Sequence, residues 1–288
     1  MKFVPDAVPA SRLDLSLAYS TDLARSLLRL AIRNVRRTGD VVDSEYNSGA
    51  WDRVLNERTW LGAQTLEEFL IGQNVAARLA KVDNKLVRIA TRDYYRYRIS
   101  ALSELMMRYS GVATSLLELG AGFGYNLLSL SLDPHWSRLR GLDIAPNGIE
   151  AGRRLASHYN LEDRVSFDRI DLTDAQDARF SELAGQTVFT HFCIEQIPYA
   201  VQNVIENILR AKPSRVINIE PAVDMLKLSD PRDFTSRVYH RSMDYQTDLF
   251  KLLDVLESEG RIRILARQRM EYAPTLHNDG LLYAWEPR

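Results

Sequence analysis

The sequence predicts an α/β protein: an alternating sheet of buried parallel strands, preceded by a long helical extension. Three observations predict it. From residue 112 onward, the short apolar runs VATSLLEL, RLRGLDI, VSFDRI, TVFTHF and RVINIE are separated by segments of helix length. The first run ends in a glycine-rich turn, LGAGFGYN, that opens a helix. The last two runs, IRILARQRM and LLYAWEP, flank the turn HNDG and read as a terminal pair of strands. Parallel strands sandwiched between helices need apolar residues on both faces, and these runs supply them.

Residues 1 to about 108 read as three to five helices without a convincing strand series. In TDLARSLLRLAIRNVRR, Leu23, Leu27, Leu30 and Ile32 build an apolar side, and Thr21 is placed to cap the helix. Arg25, Arg29, Arg33, Arg36 and Arg37 gather near another face, as a solvated surface or as a contact for an anionic ligand or partner. A polar, turn-prone stretch spans Thr38 to Ala50. Helical material follows in WDRVLNERTW, TLEEFLIGQNVAARLAKV and YYRYRISALSELMMRYS. The interleaved Tyr94, Tyr95, Arg96, Tyr97 and Arg98 suit packing of this extension on the core, with pocket lining and nucleic-acid stacking as the other readings. Tyr46 and Trp51 either pack within the extension or close over a ligand.

Composition bounds the class. In 288 residues, 37 Lys+Arg stand against 38 Asp+Glu, a formal charge of -1, which disfavours bulk binding to nucleic acid. The single cysteine, Cys193, cannot form an intramolecular disulfide or build a cysteine-based zinc cluster, so no metal is expected. The opening MKFVPDAVPASRLDLSLAYS lacks an unbroken apolar stretch, and no run approaches the ~18 apolar residues of a membrane span. A cytoplasmic protein with no membrane partner is the expectation.

The sharpest local feature is SLLELGAGFGYNLLSLSL. Gly120, Gly122 and Gly124 leave room for a ligand against the backbone and permit torsions closed to other residues. Their spacing is Gly-x-Gly-x-Gly; the dinucleotide fingerprint Gly-x-Gly-x-x-Gly would need glycine where Tyr125 stands, so hydride transfer loses ground. Twenty-three positions after Gly120, Asp143 ends the run RLRGLDI, where a carboxylate can accept hydrogen bonds from both hydroxyls of a ribose. Asp171 ends VSFDRID and can accept from an exocyclic amine such as that of adenine, with Asp174 competing for the role.

Together, LELGAGFG, the GLDI strand end and RIDLTD resemble the class I S-adenosylmethionine-dependent methyltransferases over roughly residues 110–288. The resemblance implies a Rossmann-like, seven-stranded mixed sheet in the order 3-2-1-4-5-7-6 with strand 7 antiparallel, an N-terminal helical cap (1–108) for recognition, and a cofactor-binding core (109–288). It implies S-adenosyl-L-methionine as cofactor. Glu118 would sit beside its methionine portion, and the backbone of Gly120, Ala121, Gly122 and Gly124 would wrap its amino-acid and ribose region. Asp143 would hold the ribose hydroxyls, Ile144 would pack by the adenine, and Asp171 with Leu172 would meet its edge. Thr190 and His191, at the fourth strand end, complete the cofactor set.

The same strand end is the catalytic search area, because ligands of open α/β sheets gather at carboxyl strand ends. TVFTHFCIEQIPYA does not match the Asp/Asn-Pro-Pro-Tyr/Phe signature of many amino-directed nucleic-acid methyltransferases, which weakens base N-methylation. His191 is the best general-base candidate, since its unperturbed pKa lies near physiological pH; cofactor or substrate positioning and structural hydrogen bonding are its other roles. Glu195 is read as orienting His191, binding the acceptor, or capping the next helix. His240, in RVYHRSMDYQ, is read as reaching the pocket from the opposite wall, beside Arg237 and Arg241. The expected function is methyl transfer to an oxygen of a small molecule, such as a sugar or other secondary metabolite, or of a short peptide. Nitrogen methylation and a noncatalytic binding role are the alternatives, and a homodimer is compatible with either.

Overall fold

A computed structural model describes residues 3–32, 36–221, 223–275 and 280–288. Arg33 of the basic stripe, and His277 with most of the HNDG turn, lie outside the described residues. The extension opens with a short strand β1 (Ala7–Pro9) and a long helix α1 (Arg12–Ile32). This helix starts nine residues before Thr21, which is therefore not its cap; the Ser11 hydroxyl instead accepts from the Asp14 N–H at 3.1 Å, and Asp14 accepts from the Ser11 N–H at 3.2 Å. Leu27, Leu30 and Ile32, expected as a buried side, are exposed.

The stretch expected to be turn-like is helical: α2 (Gly39–Val42) runs into a π-helix at Asp43–Trp51 and then α3 (Asp52–Glu57). The helix α4 (Leu66–Ile71) carries a full capping box from Thr65 and Glu68 and stops at Gly72. Beyond it the helical expectation fails, because β2 (Ala77–Val82) and β3 (Lys85–Ala90) form an antiparallel hairpin. Its two-residue turn, Asp83-Asn84, has φ of 47° and 63°, the left-handed pair that matches the twist of hairpin strands. With β1 it makes a three-stranded sheet in the order β1-β3-β2. The extension is thus a mixed cap, ending in α5 (Thr91–Tyr109). Tyr94 and Tyr97 of α5 are fully buried, in keeping with packing on the core.

The core alternates as expected: β4 (Ser115–Leu119), α6 (Tyr125–Leu130), β5 (Arg138–Asp143), α7 (Pro146–His158), β6 (Val165–Arg169), β7 (Thr187–His191), α8 (Val201–Arg210) and β8 (Arg215–Pro221). Next come α9 (Pro231–Ser242), α10 (Leu249–Ser258), β9 (Ile262–Arg269) and β10 (Gly280–Pro287). The sheet order is β6-β5-β4-β7-β8-β10-β9, which is 3-2-1-4-5-7-6 in core numbering. β10 runs antiparallel to both β8 and β9, and the other described strand pairs of this sheet are parallel.

Alternation along β4 explains its two-sided burial. Leu116 joins one apolar layer with Leu105 of α5 and Leu127 of α6; Leu117 and Leu119 join the other with Ile205 of α8 and Leu253 of α10. Order reverses between β4 and β7, so their carboxyl ends diverge and leave a crevice. No helix among the described residues is long and apolar enough to cross a membrane.

Candidate functional site

A cleft of about 480 Å³ opens at these strand ends, within the ~300–1,000 Å³ usual for small-molecule sites. Its floor is the glycine loop after β4. Gly120 and Gly122 have φ of 72° and 55°, the left-handed region, and each is closely covered. A Cβ on Gly120 would lie 2.0 Å from Cys193 Sγ, and one on Gly122 would lie 2.7 Å from the Trp51 ring. Asp143, at the end of β5, ties the loop down: Oδ2 accepts from the Gly122 N–H at 2.7 Å and Oδ1 from the Ala145 N–H at 2.8 Å. Burial raises its pKa, and the N–H groups of Ala145, Gly122 and Ile144 oppose that shift.

Ile144 is exposed into the cleft, with Ile170, Asp171 and Leu172 beside it. Asp171 also has a local job. Its Oδ1 accepts from the Thr173 N–H at 2.9 Å and hydroxyl at 2.7 Å, which fixes the local turn. Asp174 accepts from the Gln176 N–H and does not line the cleft.

The roof is the segment Arg37 to Trp51. Asn147, at the start of α7, anchors it by donating its N–H to Asn47 Oδ1 at 2.9 Å and its side-chain amide to the Asn47 carbonyl at 3.0 Å. Trp51 packs edge-on against Phe123 with centroids 5.3 Å apart, and Tyr46 against Trp51 at 5.7 Å. Tyr46 and Trp51 therefore pack on each other within the extension and also line the cleft. Arg37 is buried, pairs with Glu45 at 2.8 Å, and lies over the Tyr245 ring at 4.8 Å.

The fourth strand distributes its polar residues to different sides. His191 follows Phe189 onto the layer shared with α5 and α6; its Nε2 is 3.1 Å from the Tyr272 hydroxyl and its ring stacks on that tyrosine. Burial, then the Arg98 charge, pushes its pKa well below the usual value, so the ring is neutral. Thr190 faces the opposite layer, accepting from Asn218 Nδ2 at 3.0 Å, with no exposure to the cleft. Then Phe192, at φ 56°, turns the chain sharply. Beyond it, Glu220 accepts the N–H groups of Cys193, Ile194 and Glu195 at 3.0, 3.2 and 3.3 Å.

Glu195 consequently does not meet His191. Its Oε1 accepts from Gln196 Nε2 at 2.7 Å, Oε2 is buried without a hydrogen-bond partner, and burial followed by the Glu220 charge drives its pKa well up. His240 is not in a loop at the opposite wall. It lies buried within α9, its Nδ1 2.7 Å from the Ser236 carbonyl, and does not line the cleft. Cys193 does line it, but burial and four surrounding carboxylates hold the thiol protonated.

Of the expected cofactor set, the structure brings Gly120, Gly122, Asp143, Ile144, Asp171 and Leu172 to the cleft; Glu118, Ala121, Gly124, Thr190 and His191 are outside its lining. Glu118 is fully buried behind the loop. Asn126 Nδ2 donates to its Oε1 at 2.6 Å, Oε2 has no partner, and burial raises its pKa to about 8. Sequence reasoning named Arg98 only within the Tyr/Arg cluster of the extension and did not connect it to Asn126, to whose Oδ1 its guanidinium donates at 2.7 Å, or to the Tyr125 ring 4.6 Å away. It also missed Tyr272, from the connection after β9. Only an arginine inside an apolar helical face hinted at the first. Among the described residues, no group of three or more His, Cys, Asp or Glu side chains is arranged to hold a metal.

No protein-family profile matches the chain. Its structure is similar to that of the [4+2]-cyclase SpnF, with a TM-score of 0.53 over 82% of this chain and 96% of that one at 14% identity. A geranyl diphosphate C-methyltransferase from Streptomyces coelicolor A3(2) aligns over 66% of this chain and 79% of its own, at 12% identity and a TM-score of 0.48. The methyltransferase domain of bacterial CtHen1-C aligns over 66% and 96%, at 18% identity and 0.47. At 14% identity the likeness to SpnF is one of fold, and the sheet order 3-2-1-4-5-7-6 is that of a Rossmann-like methyltransferase fold.

Proposed function

We propose that the chain transfers a methyl group from S-adenosylmethionine to an oxygen of a small molecule or short peptide. One observation carries the reading: residues from three successive strand ends, Gly120 and Gly122, Asp143 and Ile144, Asp171 and Leu172, line a single cleft. The donor set suits the cofactor. The Gly122 and Ala145 N–H groups take one position on each Asp143 oxygen, and an ionised carboxylate has about four acceptor positions, so acceptor capacity remains for a ribose hydroxyl. Glu118 Oε2, buried without a partner behind the loop, suits an amino group.

S-adenosylmethionine, when bound, supplies both an electrophilic methyl and its leaving thioether. The protein's share is alignment, exclusion of water and removal of a proton. Trp51 and Tyr46 roof the cleft against water. The oxygen preference rests on His191, which is neutral at physiological pH; it lies behind the cleft lining with Nε2 on the Tyr272 hydroxyl, so it takes the proton of an acceptor hydroxyl only where the acceptor reaches past the lining to that ring. An amine acceptor is the alternative. A structure of this fold bears the name of a cyclase, so binding and methyl transfer are assayed separately.

Calorimetry with S-adenosylmethionine, S-adenosylhomocysteine and NAD tests the cofactor assignment; preference for NAD, or no binding of either sulfur compound, overturns it. In Asp143→Ala, loss of two charge-assisted hydrogen bonds at ~1.5 kcal/mol or more each predicts at least a ~100-fold weaker affinity for S-adenosylhomocysteine. Unchanged affinity rejects the ribose role. A screen of hydroxyl, amine and carboxylate acceptors then tests the oxygen preference, which methylation confined to amines would sink.

A further inference from the structure

The helix α1 is apolar on two sides, and the fold covers only one. Its covered side carries Leu15, Ala18, Tyr19 and Leu23 among Asp22, Ser26 and Arg29, at positions recurring every three or four residues, and packs on α9, where Arg29 lies 6.0 Å from the Tyr239 ring. Nearly opposite runs a second row: Leu13, Leu17, Ser20, Ala24, Leu27 and Ala31, every one exposed. Leu13, Leu17 and Leu27 are 69%, 60% and 51% exposed, and the adjoining Leu28 is 59% exposed. Such a row costs free energy in water unless something covers it.

The spacing of this row is 4-3-4-3-4, the seam of a two-helix coiled coil. It is also self-complementary. Turned end for end about Asp22, Leu13 falls opposite position 31, Leu17 opposite position 27, and Ser20 opposite position 24. Large residues then meet large or small ones at both ends, and the small Ser20 and Ala24 let the backbones approach at the centre. None of these positions is charged in a chain with 26% charged residues, so no like charges are opposed. A lipid surface or an unrelated partner would have no use for that symmetry.

We propose that α1 is the contact of an isologous homodimer, in which two copies pair their α1 helices antiparallel along this seam, Leu17 packing on Leu27 of the partner subunit. A twofold axis passes through the seam between Ser20 and Ala24, at the level of Asp22, and generates both halves of the interface from one surface. Over the ~30 Å length of a 21-residue helix, the pair buries on the order of 1,000 Å², just below the specific-interface range. The dimer is therefore concentration-dependent. This surface is separate from the cleft, so the proposal stands independently of the chemistry proposed there.

Light scattering and sedimentation of the full chain over a concentration series test it, with L17E, L27K and the double variant L17E/L27K. All three alter exposed positions, and thermal melting checks that each stays folded. The wild type should reach twice its 32.9 kDa mass. Each single variant should weaken dimerisation at least tenfold, and the double variant, which brings opposite charges face to face only in the antiparallel register, should restore it. A wild type that stays monomeric throughout overturns the proposal, and flotation of that monomer with anionic phospholipid vesicles would assign the row to a membrane surface instead. Dimers indifferent to L17E and L27K also overturn it, as does a double variant no better than the singles.

Discussion

Gly120 and Cys193 come from the first and fourth core strands, and their contact sets how closely the glycine loop approaches the β7 tip. In Gly120→Ala two costs arise. The residue stays at φ 72°, which costs a non-glycine ~1–2 kcal/mol. Its new Cβ meets Cys193 Sγ at 2.0 Å and Cβ at 2.5 Å, and retreat is resisted because Glu220 holds the backbone N–H groups of residues 193–195. Overpacking of that kind costs ~1–3 kcal/mol. The sum, about 2–5 kcal/mol, predicts a fall in Tm of roughly 5–15 °C for a chain of this size. Cys193→Gly removes both clashing atoms and leaves the torsional cost. In a double-mutant cycle by thermal denaturation, G120A and C193G should therefore be non-additive by about 1–3 kcal/mol, the double variant being more stable than the sum predicts. Calorimetric affinity for S-adenosylhomocysteine should fall in G120A and recover in part in the double variant. Additivity within ~0.5 kcal/mol would refute the argument, since it would mean that the loop and the β7 tip are not in contact.

Three further outcomes follow from the same geometry. Trp51→Ala removes the ring that covers Gly122, and about 1–2 kcal/mol of lost apolar contact should speed release of S-adenosylhomocysteine roughly tenfold; unchanged release in stopped flow would separate the roof from the cofactor. Burial lifts Glu118 to about 8, above its unfolded value, so its contribution to stability is full at low pH and is lost as pH rises through 8; Tm should decline over that window and Glu118→Gln should flatten the decline. His191 is held neutral well below its usual range, so kcat should stay level from about pH 8 to pH 6, and His191→Ala should lower kcat ~100-fold or more with cofactor affinity retained; a kcat profile falling near pH 6.5 would reject the assignment.

The parts legible in the sequence were those whose signal is local. The glycine loop joins a strand to a helix within a dozen residues, and Asp143 and Asp171 end the next two strands, so chain order alone brought them to one crevice. The hairpin β2–β3 was not legible, because AARLAKV is rich in helix formers; pairing with β3, and the Lys81 N–H donated to the Ala273 carbonyl at 3.0 Å, override that propensity from outside the segment. The roof was illegible for a related reason. Residues 38–50 carry Gly39, Asn47 and Gly49, the composition of a turn, yet from Gly39 on they are helical, and their anchor, Asn147 on Asn47, lies a hundred positions away in sequence.

His191 and Glu195 show most directly where local reasoning must stop. Four residues apart, they would share a face on a strand and nearly so on a helix, which made a base and its orienting carboxylate a natural pair. The left-handed Phe192 breaks both periods at the second residue, and the three N–H groups bound by Glu220 fix the turn that follows. The strand consequently sends His191 towards Tyr272 and Arg98, and Glu195 towards Arg37 and the tyrosines around it. The His191 ring and the unpartnered Glu195 carboxyl thus lie in different surroundings, so the ring cannot rely on Glu195 to hold it. Tyr272 does so, and it comes from a part of the chain that no spacing argument connected to the fourth strand.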